Sequence, residues 1–481
     1  MFQQRYLFLF LIVILGSILR FHSIGRESLW NDELASCYRS SFATVGDVIS
    51  KGVAPDIHPP GYQILMFFVQ RTAGNSSTAL RLPSALAGIL TIPLIFLLGR
   101  RLLNWSTGLA ASLFLAVSPV HIWLSQEARP YTIMMLLTSV SVYLLAGFIG
   151  RMKAGRTMGG AGVAAFITVG ILLEYIHYFG LLILVIESVI LVLYSISLQR
   201  NRLKASGVCV VPFLVFLPWV PYALAQSVSG SYITVPSLRT VALLFFEYLG
   251  WSKFMMAAFG TLILSGLFTY FAKKTNGERF TSSGITVPFL WVILPLAVSV
   301  LISVAFTPVF TLRNMMVALP AVFLLMAAAI HTIFSRAWLR YSVIVFLCCY
   351  MLFSLFMVRK HYTEPHRHQF REAVAFAVGN SSRGHETMIV ASAWNAFYFD
   401  YYFQKLSSDL AVDLLAVEPQ DFIEVRRSVA LRKPVELWFL WGHLEPDSEL
   451  IDSISTLFEK REYHPLLNAG VWRFSQLSVE N

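Results

Sequence analysis

The sequence predicts an all-α polytopic membrane protein of about eleven transmembrane helices, ending in a C-terminal extracytoplasmic α/β domain. Three observations predict it. The 481 residues are 56% hydrophobic and only 13% charged, with a mean hydropathy of +0.65. That is far too apolar for a soluble enzyme of ordinary charge, so the bilayer is the main solvent. Apolar runs of roughly 20 residues, the length that crosses a hydrocarbon core, recur from Leu7 to Phe356. Beyond His361 that character is lost, and short β-like runs alternate with helix-like ones.

The first run, Tyr6 to Ile24, lacks the small-residue cleavage site of a secretory signal and reads as a retained helix. The spans are 6–24, 81–99, 108–125, 131–149, 161–175, 177–196, 206–225, 254–272, 285–306, 314–334 and 341–358. With Arg5 inside, every second connection carries basic residues: Arg100 and Arg101; Arg151, Lys153 and Arg156; Arg200, Arg202 and Lys204; Lys273, Lys274 and Arg279; Arg336 and Arg340. By the positive-inside rule this places the N-terminus in the cytoplasm, and loop 25–80, loop 226–253 and the tail after His361 outside it. In a bacterium that is the periplasmic face of the inner membrane. The formal charge of +10 therefore marks topology and calls for no nucleic-acid partner. Cys37, Cys209, Cys348 and Cys349 have neither metal-ligand spacing nor the look of a disulfide framework.

In the tail, Thr387–Ala391, Ala411–Val417, Val435–Trp441 and Gly470–Phe474 read as strands, and Gln369–Val378, Gln420–Leu431 and Asp447–Phe458 as helices. No Gly-rich phosphate loop is present, so nothing argues for a nucleotide cofactor.

Polar groups collect on the outer face. Trp30-Asn31-Asp32-Glu33 follows the first helix, and Asp56-Ile57-His58-Pro59-Pro60-Gly61-Tyr62 closes the same loop. The ordinary reading of Asp32 or Glu33 is a helix N-cap or a solvated charge. The two prolines read as a rigid entry into Tyr62–Val69, a segment suited to lie along the interface as an amphipathic helix. Gln126-Glu127-Ala128-Arg129-Pro130-Tyr131 joins the third and fourth helices, where interfacial anchoring is the competing explanation. Glu174, Tyr175, His177 and Tyr178 form a further group, and Arg313 precedes the tenth helix. His361, His366 and His368 lie on a hinge-like segment and read as linker residues rather than metal ligands. Apart from Glu187, the helix interiors look almost free of charge, which favours surface chemistry over passage across the membrane.

Taken in order, Ser28-Leu29-Trp30-Asn31-Asp32-Glu33, the Asp56–Tyr62 segment, Arg81-Leu82-Pro83-Ser84-Ala85 and the Gln126–Tyr131 segment resemble the bacterial relatives of the protein O-mannosyltransferases. That group, glycosyltransferase family 39, includes the lipid A aminoarabinose transferases and has the GT-C fold. The likeness covers roughly residues 1–200, and Arg313-Asn314 through Leu319-Pro320 resembles a later family segment. It implies a polyprenyl-phosphate-linked sugar as donor, an extracytoplasmic acceptor and a catalytic acid in the first outer loop. Asp32 matches the family's base, with Glu33 as the competing neighbour; Asp56 and Glu127 match further acidic positions. Where the aminoarabinose transferases place a basic residue directly after the acid, Ile57 intervenes here and the imidazole is His58.

The implied chemistry is an inverting single displacement. A positioned carboxylate takes the acceptor's hydroxyl proton, and Arg129 and Arg313, with His58, Tyr62 and Tyr131 as further substrate contacts, meet the charge that grows on the leaving lipid phosphate. No cofactor is required by any motif. The acidic groups leave a divalent cation open, although no regular ligand pattern demands one. Two other classes fit the composition: a flippase or exporter of lipid-linked sugars, and a non-catalytic membrane assembly protein.

Overall fold

The computed structural model describes residues 2–199, 201–228, 233–275, 283–381, 387–406, 413–418 and 422–476. Arg200 and Arg279 of the basic clusters, and the first residues of the expected strand at 411 and helix at 420, lie outside the described residues. The chain divides into two compact units.

The first unit, residues 1–22, 42–73 and 80–360, is helical. Among the described residues, seven of its helices are long and apolar enough to cross a membrane: Ser77–Leu102, Tyr131–Lys153, Tyr178–Ser197, Arg202–Gln226, Gly284–Ala305, Leu312–Ile333 and Ala337–Val358. Two bent pairs, Trp105–Val117 with Pro119–Ser125 and Leu238–Tyr248 with Lys253–Thr269, bring the number to nine, and the shorter apolar helices Tyr6–Phe21 and Gly160–Ile176 complete a set of eleven. Each overlaps one expected span, except that the first arm of the second bent pair, Leu238–Tyr248, lies in the expected loop 226–253. The chain is a multi-pass membrane protein.

The bends have local causes. The 61° break between Val117 and Pro119 follows from Pro119, which lacks an N–H and disfavours helical backbone at Ser118, here at ψ 118°. The 93° turn before Lys253 runs through Gly250 and Trp251, both with positive φ. Breaking a buried helix strands its last carbonyls, at about 1–3 kcal/mol each if unpaired. Arg20 supplies the missing donors. It is fully buried and donates to Leu115 O and Ala116 O, each at 3.0 Å, and to His121 Nδ1. The expectation of nearly charge-free helix interiors is therefore corrected: Arg20, Arg81 and Glu174 join Glu187 as buried ionisable residues within helices. Arg20 was overlooked because it lies near the end of an otherwise apolar run.

The second unit, residues 23–41, 74–79 and 361–481, holds a five-stranded sheet of order β2-β1-β3-β5-β4. The strands are β1 Thr387–Ser392, β2 Asp413–Val417, β3 Glu436–Gly442, β4 Lys460–Leu466 and β5 Ala469–Ser475. β1 pairs in parallel with β2 and β3, while β5 runs antiparallel to β3 and to β4. β1 and β3 are buried along their whole length, which explains their continuous apolar sequences. Val425 and Val429 of helix Phe422–Arg432 and Ile451 of helix Ser448–Ser455 pack with Val390, Phe439 and Phe474 on one face. On the other, Phe376 of helix Phe370–Asn380 meets Trp438 at 6.0 Å.

Part of the first loop belongs to this sheet unit. Helix Asn31–Arg39 packs on helix Phe397–Leu406, with Tyr38 against Phe397 at 5.2 Å. Leu29 donates its N–H to Tyr402 Oη at 2.6 Å. The expected outer loop 25–80 is thus divided between the two units, since its first apolar and aromatic side chains find their core in the tail.

Candidate active site

Within the helical unit, one group of side chains forms where several helices begin or end. Pro59 and Pro60 start helix Gly61–Ala73. A Cβ at Gly61 would meet the carbonyl oxygen of Tyr175 at 2.6 Å, so only glycine lets this helix abut the end of Gly160–Ile176. That junction brings His58 beside His177, ring to ring at 5.5 Å. Gln226 holds the loop from below, donating to Val53 O at 2.9 Å and to His58 O at 3.5 Å.

His58 Nδ1 and Asp56 Oδ2 are 3.1 Å apart, with Asp56 buried. His177 sits in the extended backbone between two helices, where its Nδ1 accepts the N–H of Phe179 at 3.1 Å. Tyr131 follows at 6.0 Å from His177. Two guanidinium groups flank the Tyr131 ring, Arg129 at 5.8 Å and Arg313 at 5.9 Å. Arg313 also lies 5.8 Å from the Trp123 ring and 3.5 Å from Oε1 of buried Glu127. Gln126 fixes this loop to the first helix by donating to Arg20 O at 3.0 Å and His22 O at 2.8 Å.

The structure therefore brings together Asp56, His58, Glu127, Arg129, Tyr131 and Arg313. Tyr62 is buried at the start of its helix. His177, Trp123 and Gln226 are added to the group by the fold. Of these, His177 stood within a polar stretch of the sequence, whereas Trp123 and Gln226 carried no local signal. Glu174 is fully buried, and its carboxyl oxygens find no hydrogen-bond partner among the described residues.

Asp32 and Glu33 belong to the sheet unit and have different surroundings. Glu33 is buried; its Oε2 accepts the N–H of Trp30 at 3.2 Å and lies 4.0 Å from Arg367 Nε. This is the closing half of a capping box. Asp32 is half-buried and lies close enough to His368 to act on it electrically. Burial first, then His443 at 5.2 Å, push His368 down to about 4, against the opposing pull of Asp32. His361 and His366 stack at 6.1 Å. Among the described residues no three His, Cys, Asp or Glu side chains are grouped to hold a metal ion.

Residues 57–222 match the family model of the dolichyl-phosphate-mannose-protein mannosyltransferases. In fold the chain is similar to ArnT from Cupriavidus metallidurans in the apo state, with a TM-score of 0.61 at 12% identity over 96% of this chain and 97% of that one. The same protein bound to undecaprenyl phosphate gives 0.58 at 13% over 99% and 98%. An Archaeoglobus fulgidus oligosaccharyltransferase in complex with zinc and sulfate gives 0.50 at 13% over 90% and 68%. No curated protein matches the sequence significantly.

Proposed function

We propose, from the premise that this chain has the GT-C fold and is glycosyltransferase-family-39-like, that it moves a sugar from a polyprenyl-phosphate donor to an extracytoplasmic acceptor by inverting single displacement. One observation carries the reading: Arg129 and Arg313 flank a single tyrosine, next to two acid–base pairs, within and beside the segment that matches the mannosyltransferase family model. A guanidinium binds phosphate through paired N–H donors, so two of them suit a lipid phosphate whose charge grows as it leaves. The ArnT structure holding undecaprenyl phosphate supports the donor class.

In this reading Asp32 is the base. The acceptor oxygen forms its bond to C1 as the C1–O bond to phosphate breaks, the hydroxyl proton passes to the Asp32 carboxylate, and the lipid phosphate departs with the bonding pair. Glu33 closes the helix start, and Asp32 is assigned as the base on its match to the family's catalytic acid. Asp56 orients His58, and Glu127 orients Arg313. No motif demands a metal and the acidic groups leave a divalent cation open, so turnover with and without a chelator decides whether the reaction uses one. The N-terminus lies in the cytoplasm, and the sheet unit, which selects the acceptor, lies on the outer side of a bacterial inner membrane.

The test presents the purified full chain with a panel of radiolabelled polyprenyl-phosphate sugars and measures release of free lipid phosphate in the presence of candidate acceptors. Release that requires an acceptor supports the reading. Movement of intact donor across vesicles with no bond cleaved would replace it with the exporter reading, for which buried Glu187 is the favouring observation.

A further inference from the structure

The helix Tyr131–Lys153 carries the candidate group at its first residue and two cations in its last turn, about 33 Å away at 1.5 Å per residue. At that far end a cleft of about 330 Å³ is lined by Arg101, Arg151, Lys153 and Arg156. Two of the cations are seated on aromatic rings, Arg101 at 3.8 Å over Tyr143 and Lys153 at 5.3 Å from Tyr194. Backbone oxygens hold two of the guanidinium groups: Arg101 donates to Tyr143 O at 2.7 Å and Arg151 to Thr157 O at 2.8 Å. Among the described residues no carboxylate pairs with any of the four. A topological signal needs only positive charge; it does not need a cleft with its cations fixed in place.

The cleft continues into an apolar furrow. Ile149 and Val287 line both, and the furrow runs between helices past Leu145, Leu290 and Tyr194 to Glu187, whose Oε2 accepts the Ser141 hydroxyl. It is narrow, about 30 Å³, so a chain would lie along it rather than sink into it. Four cations at the end of an apolar furrow on a membrane-spanning unit complement an amphiphile with an anionic phosphate head and a hydrocarbon tail.

We propose that this end of the helical unit is a binding site for an anionic phospholipid of the surrounding membrane, its phosphate among Arg101, Arg151, Lys153 and Arg156 and one acyl chain along the Ile149–Val287 furrow. Bulk phospholipid is the assigned source because the cations are exposed and the site stands at the opposite end of the helix from the group proposed to handle the sugar carrier.

The test is lipid retention by the purified full chain, reconstituted in phosphatidylcholine discs doped with phosphatidylglycerol and read by native mass spectrometry. Wild type should retain phosphatidylglycerol over phosphatidylcholine, and the pair Arg151→Glu with Arg156→Glu should retain it at least about tenfold less. The pair Arg151→Lys with Arg156→Lys keeps the charge and should lie between; it answers the question if the reversed pair does not fold. Equal retention by wild type and the altered proteins, or no preference over phosphatidylcholine, overturns the site. Displacement by millimolar inorganic phosphate would make it a soluble-anion site, and preferential uptake of undecaprenyl phosphate would make it a carrier site; either overturns the assigned lipid. Because the readout is binding, it stands whether or not the chain proves to transfer a sugar.

Discussion

In the helical unit the candidate acids are buried and each faces a base, Asp56 with His58 and Glu127 with Arg313. In the sheet unit two adjacent acids divide, Glu33 buried and closing a helix start, Asp32 half-buried beside His368. Matched pairs hold side chains ready for an anionic ligand that exchanges with the existing partner. Adjacent positions along a chain therefore say little about role until the local bonding is known.

The largest effect expected from this contrast is at Asp32. Asp32→Asn keeps the size and removes the basic oxygen, so turnover should fall about 100-fold or more while donor binding changes little. Lipid phosphate release, measured on protein that elutes as wild type, checks it. A nearly fully active Asp32→Asn protein would break the contrast, and a dead Glu33→Gln beside it would move the base by one residue.

Arg313→Lys should weaken donor binding by about tenfold, because an ammonium keeps the charge but loses the planar fork that can chelate phosphate oxygens. Equal donor affinity in both proteins would show that Arg313 serves only Glu127. Glu33→Gln can still accept the Trp30 N–H but withdraws the carboxylate from buried Arg367, so it should cost about 1–3 kcal/mol of stability in a denaturant melt while leaving turnover within about threefold.

The smallest expected effect is one of pH. His368 titrates at about 4 in the fold against an ordinary 6.5, so between those values the unfolded chain binds more protons than the folded one. Its contribution is complete above pH 6.5, is lost as the pH falls toward 4, and saturates below that. Solvent reaching the half-buried ring reduces the size of the effect. Melting curves from pH 7 to pH 4 should show a shallower loss in His368→Gln than in wild type.

What was legible in the sequence followed from local physics. Eleven apolar runs were readable from length and hydropathy alone, and Pro119 marks a break in the third of them. Arg20 was not readable as the partner of that break, because the carbonyls it serves lie 95 and 96 positions away. In the tail the buried strands β1 and β3 were evident as apolar runs. β4 was missed because its residues Lys460 to Tyr463 are exposed and mostly polar, and helix Phe397–Leu406 because its aromatic run has strand-like composition. The six site residues of the helical unit all stand out in the sequence, yet their meeting depends on Gly61 against Tyr175, a tertiary fact.

The bond from Leu29 to Tyr402 joins positions 373 apart, and it bears on how such chains can be recombined. The sheet unit is a split module, written at three places in the gene. A chimaera cut at residue 361 would inherit a tail without its docked helix Asn31–Arg39, and a first loop cut to fit a different seat. Exchanging this unit between relatives would therefore need Ser23–Ser41 and Gly74–Ala79 to travel with the tail, and natural exchange of tails alone should leave few descendants.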